Sequence, residues 1–257
     1  MKNRLGLLLI LALVVSITSC KKKVNYPANP LTNYYIGLEV GKYITYRMDS
    51  LNFYYYGQLD TVTSYLAKDS VEKKTIDNTG ATVWQVTRYL SDTTGSFWSP
   101  TLTYTVASSL SAIDVTEDNL RFVKLAFPMD LGVSWTGNTY LPYAPYQDFF
   151  AYSDYTNLSL SGWNYVYEQV NQPFTVNSGM TYDSASTILQ VADSTNVPIT
   201  NTTIFASNTY WSETYAKHIG LIYRHTAMWE YQPPTPDGSQ SGYKIGFELT
   251  MSIVDHN

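Results

Sequence analysis

The sequence predicts an all-β domain, mainly an antiparallel sheet, arranged as an open barrel or a sandwich with one or two short helices. Three observations carry this. Aromatic residues make up 15% of the chain, with 24 tyrosines, while charged residues make up only 14%. Tyr, Trp, Thr and Val suit a pleated, half-buried surface better than a helix. Several segments alternate polar and apolar residues at period two, and no window sustains an apolar stripe at helical spacing over three turns.

In chain order, the first element is a leader. Lys2 and Arg4 form a basic start, and Leu5 to Val15 is apolar apart from Gly6. That run falls short of the roughly 20 apolar residues of a membrane span and fits a secretory signal. It ends at Ser19-Cys20, in the setting of a bacterial lipobox, where the thiol is acylated and the chain is cut just before it. Cys20 is the only cysteine, so it has no partner for an intramolecular disulfide. The expected organisation is therefore a signal peptide over 1–19, a lipidated cysteine and linker over 20–33, and one β-rich domain over 34–257. Cleavage leaves 238 of the 257 residues, and loss of Lys2 and Arg4 moves the formal charge from −5 to −7. Lys21, Lys22 and Lys23 follow the anchor, where each would add about 1 kcal/mol beside an anionic leaflet or else serve as a solvated tether. Pro27 and Pro30 favour an extended linker.

Within the domain, Lys42 to Met48, Thr82 to Tyr89, Ser186 to Val191 and Tyr243 to Leu249 alternate as strands. Turn clusters lie between them at Asp77-Asn78-Thr79-Gly80, Pro142-Tyr143-Ala144-Pro145 and Pro233 to Gly238. One internal echo exists. Leu38-Glu39-Val40-Gly41-Lys42 parallels Met129-Asp130-Leu131-Gly132-Val133. It reads as one turn chemistry used twice, in preference to a duplicated half-domain.

The residues offer little catalytic chemistry. Gly-x-Ser-x-Gly does not occur, and Ser134 in Gly132-Val133-Ser134-Trp135-Thr136-Gly137 reads as a turn residue. The three histidines, His218, His225 and His256, have no metal-site spacing, and His256 reads as a frayed terminus. Asp114, Glu117 and Asp118, and likewise Asp69 and Glu72, read as solvated loop acids rather than a glycosidase pair. Glu168, beside Tyr165 and Tyr167, and Glu230, between Trp229 and Tyr231, are the acids set among aromatics. The acidic balance argues against nucleic acid. No catalytic residue, metal site or cofactor is expected. Phe53-Tyr54-Tyr55-Tyr56, Phe149-Phe150 with Tyr152 and Tyr155, and Trp163 with Tyr165 and Tyr167 either line a cleft or, the reading preferred here, fill sheet faces.

Several segments resemble a group of Bacteroidota cell-envelope lipoproteins of uncharacterised activity. They are Asp77 to Gly80 leading into Trp84 to Tyr89, Asn119 to Pro128, Gly132 to Asn138, and Tyr215 to Arg224. His218 stands where that group has a glycine. The Tyr-Ala-Lys-x-x-Gly-Leu element also resembles lipoprotein-carrier envelope proteins, in which a curved sheet covers an apolar cavity. The resemblance implies an outer-membrane location facing the periplasm, because the lysines after Cys20 are not the acidic residues of retained or surface-exported relatives. It also implies O-glycosylation at Asp-Ser/Thr tripeptides. Six occur, with acceptors Ser50, Thr61, Ser70, Thr93, Ser184 and Ser194, against about one expected by chance; ordinary turn chemistry is the competing reading.

The expected function is a non-enzymatic binding or envelope-assembly role in a membrane-anchored lipoprotein, its ligand a glycan, peptide or lipid. The alternatives are a glycan-binding accessory lipoprotein of a saccharide-uptake system and, less favoured, a carboxylate-dependent hydrolase.

Overall fold

A computed structural model describes residues 38–78, 80–150 and 159–257. Cys20, the signal and linker segments, Tyr152 and Tyr155 lie outside the described residues. Those described belong to one unit, Leu31–Asn257. Twelve strands form a single antiparallel sheet: β1 (Tyr43–Tyr54), β2 (Leu59–Ile76), β3 (Thr82–Ser91), β4 (Ser99–Ser108), β5 (Ala112–Glu117), β6 (Leu120–Ala126), β7 (Ser134–Thr136), β8 (Asn164–Thr175), β9 (Thr181–Thr195), β10 (Ala206–Ala216), β11 (Gly220–Gln232) and β12 (Tyr243–His256). The four alternating segments fall in β1, β3, β9 and β12. No α-helix is present among the described residues; the helical element is a short 3-10 turn, Gln147–Phe150.

The sheet order is β6-β5-β4-β3-β2-β1-β12-β11-β10-β9-β8-β7, nearly closed into a barrel. The β1–β12 junction is a full ladder running from Ile44 opposite His256 to Leu51 opposite Glu248, so His256 ends a paired strand rather than fraying. The β6–β7 seam is different. Val123 N donates to Gly137 O at 2.8 Å, and side chains complete the join. Trp135 Nε1 donates to Val123 O at 2.7 Å, and the Tyr167 hydroxyl donates to Ala126 O at 2.8 Å while accepting from Ala126 N at 3.2 Å. Gly137 has no room for a side chain, because a Cβ would lie 2.2 Å from the Tyr165 ring.

The two echoed turns are equivalent in space. Gly41 N donates to Val71 O, and Val71 N to Lys42 O, both at 2.9 Å. Gly132 N donates to Tyr167 O at 2.9 Å, and Tyr167 N to Val133 O at 3.1 Å. Both glycines have positive φ, +91° and +79°, and the preceding Leu38 and Met129 both enter the main core. Each turn opens a run of six consecutive strands, β1–β6 and β7–β12. The same turn chemistry therefore performs the same job twice, at the start of each run of six strands.

Period-two alternation places side chains of one parity inside. The core draws Ile44, Val71, Val86, Val106, Val115, Leu125, Tyr167, Ile188, Tyr215, Ile222 and Ile253 from ten different strands beside β1. Burying each such side chain stabilises the fold by roughly 1.5–3 kcal/mol before entropy is counted.

His218 lies in the β10–β11 turn at φ +69°, a left-handed conformation that glycine adopts without strain. Replacing His218 by Gly is expected to stabilise the domain by about 0.5–1 kcal/mol, read as a higher midpoint in urea unfolding at unchanged slope.

Candidate functional site in the barrel interior and at its mouth

The interior of the barrel is layered, and the alternation shows why. Two residues from Val71, Val86, Val106, Val115, Tyr215 and Ile222, on the same inward face, stand Asp69, Arg88, Tyr104, Glu117, Glu213 and Arg224. Two positions further along β10 comes Trp211, and along β12 come Leu249 and Phe247. The barrel therefore has an apolar base, an ionic waist and an aromatic upper layer.

The waist is one connected network. Arg88 donates from Nε and Nη2 to the two Asp69 oxygens at 2.7 and 2.8 Å, and from Nη1 to Glu117 Oε1 at 3.0 Å. The Tyr104 hydroxyl donates to Asp69 Oδ2 at 3.0 Å. Across the lumen, Lys124 Nζ donates to Glu213 Oε1 at 2.8 Å, and the Tyr215 hydroxyl donates to Glu213 Oε2. Arg224 Nε lies 2.8 Å from the same Glu213 oxygen, but off the N–H axis, so the contact is an ion pair without a formed hydrogen bond. Its Nη1 is 3.7 Å from Glu117 Oε2, and that contact joins the two halves of the network. Asp69, Arg88, Glu117, Lys124, Glu213 and Arg224 give three charges of each sign.

Burial alone would raise the Glu213 carboxyl, but Lys124, Arg224 and the hydrogen bonds from Lys124 and Tyr215 outweigh it and bring its pKa down to about 2. Burial likewise opposes ionisation of Glu117, and Arg88 and Arg224 override it, so this carboxyl too is lowered. Lys124 moves down because desolvation exceeds the help of Glu213 and Arg224 stands close by. The asymmetry within the pair follows from the count of partners: Glu213 has two cations, whereas Lys124 has one carboxylate in contact. Desolvation also works against charge on Arg224, yet Glu213 and Glu117 raise its pKa.

Two cavities flank the waist. One of about 50 Å³ lies against the base, among Ile44, Val71, Arg88 and Tyr104. The second, about 180 Å³, is lined by Lys124, Glu213, Arg224 and Glu117 together with Phe122, Tyr146, Trp211, Phe247 and Leu249. The β7–β8 connection covers it. Tyr146 packs on Trp211 and Phe247 at centroid distances of 5.7 and 5.4 Å, and Phe149 packs on Phe247 at 4.9 Å.

Outside this cover is a groove of about 1030 Å³, lined by Asn52, Phe53, Tyr54, Tyr56, Gln58, Phe149, Gln240, Tyr243 and Lys244. The β1–β2 hairpin tip is held over β12 by Lys244 N donating to Gly57 O at 2.8 Å. Gly57 is required there, since a Cβ would lie 2.0 Å from Lys244 O. Tyr54, Phe149 and Tyr56 are 49%, 53% and 95% exposed.

The structure sorts the sequence-level candidates. Tyr165 and Tyr167 are fully buried in the core, and Trp163 packs edge-on to Trp211 at 5.3 Å, so these three fill the barrel. Phe53, Tyr54, Tyr56 and Phe149 instead border the groove. Asp69 and Glu117 are corrected from solvated loop acids to strand residues of the buried network. Asp114 is likewise a strand residue, half-buried on β5 and paired at 2.5 Å with the exposed Arg121. Glu168 is exposed on β8 because Tyr165 and Tyr167 take the inward parity. Glu230 is buried on β11 and accepts from Gln232 Nε2 at 3.0 Å. His225 lies 3.0 Å from Glu248. Of the six Asp-Ser/Thr acceptors, only Thr93 sits in a turn. Ser50, Thr61, Ser70, Ser184 and Ser194 lie within β1, β2 and β9, so turn chemistry does not account for their tripeptides. Among the described residues, no cluster of three His, Cys, Asp or Glu side chains has the geometry to hold a metal. Lys124, Glu213 and Arg224 went unrecognised in the sequence. Their signal is a charge at the inward parity of an apolar strand, as in Trp211-x-Glu213-x-Tyr215 and Ile222-x-Arg224.

No protein-family model matches this chain, and no curated protein matches its sequence.

Acid is expected to weaken the fold through Glu213. Its folded pKa of about 2 lies below the ordinary 4.5, so its contribution is complete above about pH 5 and is lost as pH falls toward 2. The size is on the order of 3 kcal/mol. Urea unfolding at a series of pH values should show that slope, and Glu213→Gln should flatten it while costing about 3–5 kcal/mol at pH 7.

Proposed function

We propose that this chain is a non-enzymatic binding module of the bacterial envelope, anchored through acylated Cys20 to the outer membrane and facing the periplasm, and that the groove at the barrel mouth binds a glycan. The observation that carries the ligand class is the composition of the groove. Tyr54, Tyr56 and Phe149 leave ring faces in solvent beside the amides of Asn52, Gln58 and Gln240 and the amine of Lys244. Exposed apolar faces rimmed by polar groups favour a ligand with the same duality. A pyranose has it: an apolar C–H face to lie on a ring and hydroxyls at its edge. Gly57 fixes the backbone of the hairpin that presents Tyr54 and Tyr56. The anchoring part rests on the lipobox at Ser19-Cys20 and the apolar run before it.

The acids at the waist favour binding over hydrolysis. Glycosidase chemistry needs one carboxyl with a raised pKa to act as proton donor. Glu117 and Glu213 are both lowered, which leaves them ionised and engaged with cations.

On a glycan array the domain should retain at least one oligosaccharide, and Tyr54→Ala with Tyr56→Ala should weaken that binding at least tenfold without changing thermal stability. An array without a hit, or an unchanged affinity in the double variant, overturns the glycan reading. The anchor is tested separately. Cys20→Ala should leave the outer-membrane fraction; retention there after a high-salt wash overturns acyl anchoring.

A further inference from the structure

We propose that the 180 Å³ cavity above the ionic waist is a second binding site, for a small carboxylate carried on a flat apolar body. An arginine carries five N–H donors and a lysine three. Among the described residues, no acceptor meets any Arg224 N–H in hydrogen-bond geometry; the guanidinium has only the off-axis contact to Glu213 and the 3.7 Å approach to Glu117. Lys124 places one N–H on Glu213. On the acceptor side, Glu213 Oε1 already serves Lys124 and faces Arg224, and its Oε2 takes the Tyr215 hydroxyl. Glu117 Oε1 takes Arg88. The waist is therefore neutral in charge but short of acceptors, and the shortage faces the cavity. Arg224 Nε is buried without a hydrogen-bond partner, and such a donor costs free energy, which favours a ligand that brings oxygen atoms to this guanidinium.

The volume and the apolar part of the lining choose among ligands. Phe122, Trp211, Phe247 and Leu249 line the same cavity, and the Phe122 ring lies against Lys124 Nζ at 4.6 Å. A cavity of about 150 Å³ lined by apolar side chains takes benzene, so this one has room for a ring with a carboxylate. Arg224 would grip that group through paired N–H bonds, the geometry that arginine offers a carboxylate. Asp118 lines the same cavity, and its charge favours seating the carboxylate away from it, at the waist.

This site stands apart from the mouth groove, and the tests separate the two. Benzoate is the probe, with benzamide as its uncharged counterpart, and binding is followed by calorimetry and by nuclear Overhauser contacts in the wild-type domain. The expected result is saturable benzoate binding at about 1 mM or tighter, with benzamide about tenfold weaker. Ring protons of benzoate should show contacts to Leu249 and Phe247. Leu249→Trp should fill the cavity and remove binding, whereas Tyr54→Ala should leave it unchanged. Absence of saturation by about 10 mM, equal affinity for benzamide, or contacts elsewhere on the protein overturns the proposal. The wild-type measurements decide this even where Leu249→Trp fails to fold.

Discussion

Glu213 is the constraint on which the barrel interior depends. It stands on β10 and accepts from Lys124, which stands on β6, 89 residues earlier in the chain. β6 and β7 are the two ends of the sheet, and their seam has few backbone bonds. The carboxylate therefore ties the first edge of the sheet to the second half of the barrel through the lumen. Arg224 reaches Glu213 on one side and Glu117 on the other, which brings β5 and β11 into the same network. Removing one partner of such a set leaves a buried charge uncompensated, a far larger penalty than the net worth of any single pair.

A twelve-stranded barrel has more interior than small apolar side chains fill. This protein fills its own in three ways along the axis. Aliphatic and tyrosine side chains close the base. Paired charges span the waist, where their length bridges a width that valine or isoleucine would leave empty. Aromatic rings from β6, β10, β12 and the Gln147–Phe150 turn close the top. The two cavities lie on either side of the waist, the smaller against the base and the larger beneath the aromatic layer.

The duplicated turn gives the architecture its simplest description. In each half, a glycine at positive φ lets the chain enter the sheet, and the residue three positions earlier, Leu38 or Met129, plugs the base. The two halves differ inside. Two residues along from Val86 stands Arg88, and two along from Ile188 stands Gln190, whose buried amide has no hydrogen-bond partner among the described residues. Four ions from the first half, Asp69, Arg88, Glu117 and Lys124, thus meet two from the second, Glu213 and Arg224.

By itself the sequence determined the β class, four of the strands, the turns between them and the glycine-led motif. All of these rest on local physics: the side-chain period of a strand, the φ freedom of glycine and the donor missing from proline. The proposal of export and acylation rests on linear segments alone, the apolar run and Ser19-Cys20. The charged residues were equally visible, but their meaning was not. Asp69 and Glu117 look like loop acids beside other acids, and only the register of β2 against β3 and of β4 against β5 turns them inward toward Arg88. Lys124 meets Glu213 only because the sheet curls until its ends approach. Tyr54 and Tyr165 are the same residue type in similar aromatic surroundings, yet one is 49% exposed and the other fully buried. Local sequence has no way to distinguish them, since burial is set by which strands close over a position, and that is a property of the whole barrel.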